Sequence, residues 1–192
     1  MKILVRLSLL LLPLFIASAA CAQSETFTAN PAASRVDFAL AGTGHHVNGT
    51  FHVQSGTVTF TPGSPSLSGL IVVAAGSGDS GEASRDKKMN SEVLNSDKYT
   101  EISFAPKSYE GTLAASGDSN LQVSGVFTLH GTPHQIVVPM QIHIEGANLT
   151  ARGQFMVPYV QWGLKDPSIF ILKVAKQVNI DLNLKGQVTA AK

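Results

Sequence analysis

Metal chemistry is the first that the residues of this chain suggest. Its six histidines fall partly in pairs, His45 beside His46, and His130 with His134 across Gly131-Thr132-Pro133. Neutral imidazole is a common metal ligand, and a turn between His130 and His134 would bring both rings to one hairpin end. A zinc site, however, takes three or four N, S or O ligands. No third ligand stands at a telling spacing from either pair, and on a strand His45 and His46 would face opposite ways. The spacing therefore predicts no metal site.

Covalent and acid–base chemistry are no better supplied. Ser124 and the other serines lack the Gly-x-Ser-x-Gly elbow that exposes a hydrolase nucleophile. Asp37, Asp86 and Asp166 are isolated from one another and give no paired-carboxylate signal. Gly76-Ser77-Gly78-Asp79-Ser80-Gly81 is glycine-rich but lacks the Lys-Ser/Thr of a phosphate loop. No catalytic residue or cofactor is assigned, and the chain reads as a non-enzyme. Arg85-Asp86-Lys87-Lys88 is ordinarily a solvated helical face. If a lipid headgroup emerges beside it, Arg85 and Lys87 can pair with a pyrophosphate or carboxylate.

The elements that must position these residues are strands. Val36, Phe38 and Leu40 alternate with polar or small neighbours, as do Val47, Gly49, Phe51 and Val53, then Val58 and Phe60. The same period of two runs through Leu121–Leu129, Ile136–Ile144, Leu149–Val157 and Val178–Leu184. Such stripes mean strands with one buried and one solvated face, as in antiparallel sheet. The loops between them, such as Gly131-Thr132-Pro133 and Glu145-Gly146-Ala147-Asn148, are too short for parallel crossovers, so neighbours pair as hairpins. About eight strands in one sheet must curl, and closure into a barrel removes the edges. Residues 79–98 break the rhythm. They are polar and rich in helix formers, with Met89 and Val93 one helical turn apart, and predict a short helix capping an opening.

The inward stripes carry Phe38, Phe51, Phe60, Phe104, Phe127, Val138, Met140, Ile142 and Phe155. A packed core accounts for residues of this kind; a binding role needs space left inside. An eight-stranded barrel has interior enough to be filled or to hold one ligand. Gly49, Gly125 and Gly153 share the parity of the aromatics, and either leave room or mark close strand packing at a bend. Trp162-Gly163-Leu164 offers an aromatic surface at a rim, or simply closes the core.

The first residues read as an address. Lys2 and Arg6 precede an apolar run from Leu7 to Ile16, and small residues follow to Ala22, as in a secretory signal peptide cleaved after Ala22. The alternative, a lipidated Cys21, is opposed by Ser18, which stands where a lipoprotein signal wants a large aliphatic residue. One domain, residues 23–192, then remains, without the chain's single cysteine. Removing Lys2 and Arg6 leaves 12 basic against 13 acidic residues, a net charge of −1. No nucleic-acid partner and no stable membrane insertion of the mature chain are implied. A homodimer is left open.

An ordered set of short motifs then narrows the reading. Val47-x-Gly49-Thr50-Phe51 leads to Gly56-x-Val58-x-Phe60, then to Arg85-Asp86, Met89, Leu94 and Tyr99 ahead of Ile102-Ser103-Phe104. Val123-x-Gly125-x-Phe127-x-Leu129-His130-Gly131-Thr132 follows. Gly153-x-Phe155, Trp162-Gly163-Leu164 and Val178-x-Ile180-x-Leu182 end the set. In this order the chain resembles the YceI-like family of bacterial periplasmic proteins over nearly all of residues 23–192. The resemblance implies a lipocalin-like antiparallel β-barrel with a long internal cavity, and binding of a polyisoprenoid or another amphiphilic lipid. Gly42-Thr43-Gly44-His45-His46 departs from the family pattern. The expected ligand-lining set is the nine inward residues named above with Trp162, and Arg85 and Lys87 are the expected headgroup contacts. The expected function is periplasmic binding, sequestration or transport of such a lipid. The alternatives are a stress-related structural or interaction module with a filled core and, last, a histidine-dependent metal or haem binder.

Overall fold

The computed structural model describes residues 23–170 and 173–191; the expected signal peptide, residues 1–22, lies outside them. Ten strands form one antiparallel sheet. They are β1 (Glu25–Ala29), β2 (Arg35–Gly42), β3 (His45–Phe51), β4 (Val53–Phe60) and β5 (Leu67–Ala74), then β6 (Glu101–Gly111), β7 (Gly117–Leu129), β8 (Thr132–Glu145), β9 (Asn148–Val157) and β10 (Val178–Ala190).

Two successive pairs each act as a single bent strand. β1 and β2 follow one another along β10, with Phe27 opposite Val188 and Phe38 opposite Ile180. Between them the 3-10 turn Pro31–Ala33 is tied down at Lys185. The Asn30 N–H donates to the Lys185 carbonyl (2.7 Å), and the Ser34 hydroxyl bonds both backbone groups of Lys185 (3.1 and 3.2 Å). β3 and β4, parted only at His52, pair with β2 and β1 in turn. The result is a closed eight-stranded barrel, because β1 pairs with β10 as well as with β4. Closure leaves few edges for another chain to extend.

Local chemistry sets the corners. His130 and Gly131 both have positive φ (53° and 73°), the requirement of the two-residue type I′ turn whose twist suits a hairpin. The turn is therefore one place earlier than the sequence predicts, and Thr132 and Pro133 already pair with Leu129 and Thr128. In β6 the register shifts between Pro106 and Ser108, so Lys107 bulges out. Phe104 and Tyr109, of opposite parity, consequently both reach the interior.

At the upper end, near the His130 turn, the chain from Ala75 to Tyr99 folds over the barrel. Its helix α1 (Ala83–Lys88) runs into a π-helical turn, Met89–Leu94, where the sequence predicts a short helix. Glu82 caps α1, its carboxylate accepting from the N–H groups of Ser84 (3.0 Å) and Arg85 (2.9 Å). These bonds, led by the one from the Ser84 hydroxyl, hold the Glu82 carboxyl below its ordinary range. The segment also covers the free edge of β3, where Thr50 and Asp79 exchange backbone hydrogen bonds of 2.8 and 2.9 Å.

Candidate ligand-binding site

The inward stripes do not fill the barrel. They surround a cavity of about 550 Å³, within the roughly 300–1,000 Å³ of small-molecule sites. Phe38, Phe51, Phe60, Phe104, Phe127, Val138, Met140, Ile142 and Phe155 all border it. Phe27, Tyr109, Leu149 and Leu184 line its lower part, and Leu40, Val47, Met89 and Val93 the part beneath the cap. Of these, sequence patterning missed Phe27, on a strand too short to show a stripe, and Tyr109, because the β6 bulge reverses parity. Pro106, a residue that strands carry at bulges, was the available signal.

Large side chains, two of them aromatic, lie along the wall over glycines. A Cβ on Gly49 would stand 2.4 Å from the ring of Phe38, its cross-strand partner. One on Gly125 would meet Phe104 at 2.7 Å, and one on Gly153 would meet the Met140 sulfur at 2.3 Å. Of the two readings open for these glycines, close packing holds at each position. The space above them belongs to a neighbouring side chain.

Charge is confined to the mouth. Among the described residues, the charged groups bordering the cavity are Glu82, Arg85 and Lys88, all from the cap, where Ser80 and Ser84 join them. Arg85 is held in place by Ser80, donating from Nε to its hydroxyl (2.8 Å) and from Nη2 to its carbonyl (2.8 Å). Asp86 fixes Ser80 in turn, accepting from its N–H (2.9 Å) and from its hydroxyl. A guanidinium has five N–H donors; Ser80 takes two, and the rest stay available at the opening.

Two expected members fall elsewhere. Lys87 is exposed and does not border the cavity; Arg85, Lys88 and Met89, three and four apart, make up the helical face that does. Trp162 is not a wall residue either. The β8–β9 ladder covers only Met140–Glu145 against Asn148–Gly153, so the upper parts of these strands separate beyond Pro139, which has no N–H to give. The turn after β9 packs there. The Trp162 indole stacks on His134 (3.9 Å between centroids, 7° between planes) and lies 5.9 Å from the Phe127 ring. Tyr159 anchors the same turn by donating its hydroxyl to the Ala175 carbonyl (2.7 Å). Burial, then the nearby Asp166 charge, push its phenol up to about 12.

His130, His134 and His143 each pack against a different partner. His134 lies on Trp162, His130 packs on Tyr99 with centroids 4.1 Å apart, and His143 meets Asp118 (2.7 Å) on β8 and β7. Among the described residues no three histidine, cysteine or carboxylate side chains come together to hold a metal. No helix among them is long and apolar enough to cross a membrane.

A closed antiparallel barrel with an apolar interior and a charged, helix-capped mouth is a lipocalin-like barrel. The YceI-like domain matches residues 27–186, and the chain belongs to that family. A UPF0312 protein of Pseudomonas savastanoi pv. phaseolicola is 29% identical over 160 residues, 79% of each chain. BcnA of Burkholderia cenocepacia superposes with a TM-score of 0.67 at 21% identity, over 83% of this chain and 99% of its own. A polyisoprenoid-binding domain from Saccharophagus degradans, implicated in plant cell wall breakdown, gives 0.64 at 13% identity, over 85% and 98%. At these identities the two structures speak to the fold.

Proposed function

We propose that this protein is a periplasmic carrier or sequestering protein, holding the apolar chain of one amphiphilic lipid, such as a polyisoprenoid, inside the barrel. The observation that carries the proposal is the cavity itself, apolar along its depth with its charged groups gathered at the cap. Burying hydrocarbon there is favourable by about 25 cal/mol per Å² of apolar surface, so binding needs no catalytic group. Arg85 and Lys88 at the mouth suit an anionic headgroup such as a phosphate or carboxylate. The polyisoprenoid-binding barrel among the structural neighbours supports a ligand of this shape, and the leader-like residues 1–22 support export.

The test is a titration of the purified protein with a fluorescent polyprenyl phosphate and with the corresponding neutral alcohol. Saturable one-to-one binding of both is expected, tighter for the phosphate, with the preference lost in Arg85→Ala. Absence of saturable binding by either probe rejects the lipid-carrier reading.

A further inference from the structure

Beside the cavity mouth, the chain between the Trp162 turn and β10 presents apolar side chains to solvent. Phe170 is 94% exposed and Ile169 54%, the former more than any other large apolar residue described. Their surroundings are not random. Pro167 and Val174, on either side of them, both border the cavity. The Thr43 N–H donates to the Lys173 carbonyl (2.9 Å), the Lys173 N–H to the Thr43 hydroxyl (3.0 Å), and the Ala175 N–H to the Ala41 carbonyl (2.8 Å). The apolar pair is thus carried on backbone tied to the rim of the barrel.

Charge accompanies it. From Lys165 to Lys176 the sequence holds three lysines and one acid, Asp166, a net +2, whereas residues 23–192 together carry −1. The remainder is therefore −3. Lys165 is engaged with Glu92 (2.5 Å). Asp166 accepts hydrogen bonds from Ser168, which chiefly hold its carboxyl below the usual range, with Lys176 and Lys173 contributing.

We propose that Ile169 and Phe170, aided by the charge of Lys173 and Lys176 farther along the same loop, form a docking tip for the surface of an anionic lipid bilayer, and that docking brings the cavity mouth against the membrane. Two exposed apolar side chains on a loop fall far short of the roughly 1,200–2,000 Å² buried in a stable protein interface. They suit shallow insertion below the headgroups, where apolar burial and lysine attraction to anionic lipid add. Pro167 and Val174, shared between loop and cavity wall, make the docked surface continuous with the site where the lipid would be held. Docking itself stands on the exposed pair and the lysines, only the presentation of the mouth to the membrane rests on the carrier reading, and the two failures are distinguishable.

The test is vesicle flotation of protein recovered from the periplasm of an expressing host. The vesicles are phosphatidylethanolamine with phosphatidylglycerol, and pure phosphatidylcholine for comparison. Binding is expected to the anionic vesicles and to weaken with added salt. Phe170→Asp should weaken it at least tenfold, and Lys173→Gln with Lys176→Gln by about fivefold for each lysine removed. Val137→Asp, a change at another exposed apolar residue, on the outer face of β8, should leave it unchanged. Phe170→Asp should also keep its melting temperature and its affinity for a soluble prenyl probe, which separates lost docking from lost folding or an altered cavity. Equal binding by wild type and Phe170→Asp, or no binding by wild type, overturns the proposal. A self-association that Phe170→Asp abolishes overturns it too, and gives the surface to a second copy of this chain.

Discussion

Replacing Met140 with tryptophan separates a hollow barrel from a filled one. Met140 is buried, 8% exposed, and borders the cavity between Leu121 and Gly153, its sulfur lying over the glycine. Tryptophan adds six heavy atoms to the side chain. In a close-packed interior they would have to displace neighbours, at about 1–3 kcal/mol or more. Beside a cavity of about 550 Å³ the indole can turn inward, with a change in stability below about 1 kcal/mol. It would then occupy space needed for about three to five ligand carbons. At ~0.8 kcal/mol for each buried CH₂, that is about 2.5–4 kcal/mol of binding, or roughly two to three orders of magnitude in affinity. The assay is a paired measurement of urea unfolding midpoint and prenyl-probe affinity. The expected result is an unchanged midpoint with affinity reduced at least 50-fold. A destabilised variant would mean that the interior cannot admit the ring; a stable variant with undiminished affinity would place the ligand elsewhere.

Three further outcomes test other parts of the structure. The exported form should begin at Gln23, because small residues occupy both recognition positions before it; an intact mass carrying diacylglyceryl-Cys21 would overturn this. Chelator dialysis should leave melting temperature and bound lipid unchanged, and a loss restored by Zn²⁺ or Cu²⁺ would revive metal binding through the histidines. Tyr159→Phe should cost about 1 kcal/mol at neutral pH by leaving the Ala175 carbonyl unpartnered. Because burial pushes the folded phenol up to about 12 against about 10 when unfolded, the wild-type advantage should be complete below pH 10, then be lost and reverse as pH rises toward 12. A melting-temperature difference that stays constant over that window would contradict the burial-raised ionisation of the Tyr159 phenol.

Strands whose two faces meet different solvents were readable from sequence, and β7, β8, β9 and the first half of β10 follow their stripes closely. β5 was not, since Ile71, Val72 and Val73 are all buried and leave no alternation to detect. β1 was too short to show a stripe, and its place in the sheet comes from pairing on both sides with β4 and β10. The wall of the cavity was legible because, away from the β6 bulge, parity decides which side chains point in. Its mouth was not, because a helical cap rotates side chains by turn rather than by parity. A single residue's difference in phase puts Lys88 at the opening and Lys87 in solvent. Trp162 escaped for a different reason. Its place depends on where the β8–β9 ladder parts, a property of two strands together.

The most direct test of a lipid held within the barrel is native mass spectrometry of protein purified gently from its native host, followed by organic extraction of the same sample. One amphiphile per chain is expected, with a long apolar tail and an anionic head, retained in the folded protein and absent from Met140→Trp. Folded protein that carries no small molecule, and that takes up none when offered membrane lipid extract, would contradict the carrier function.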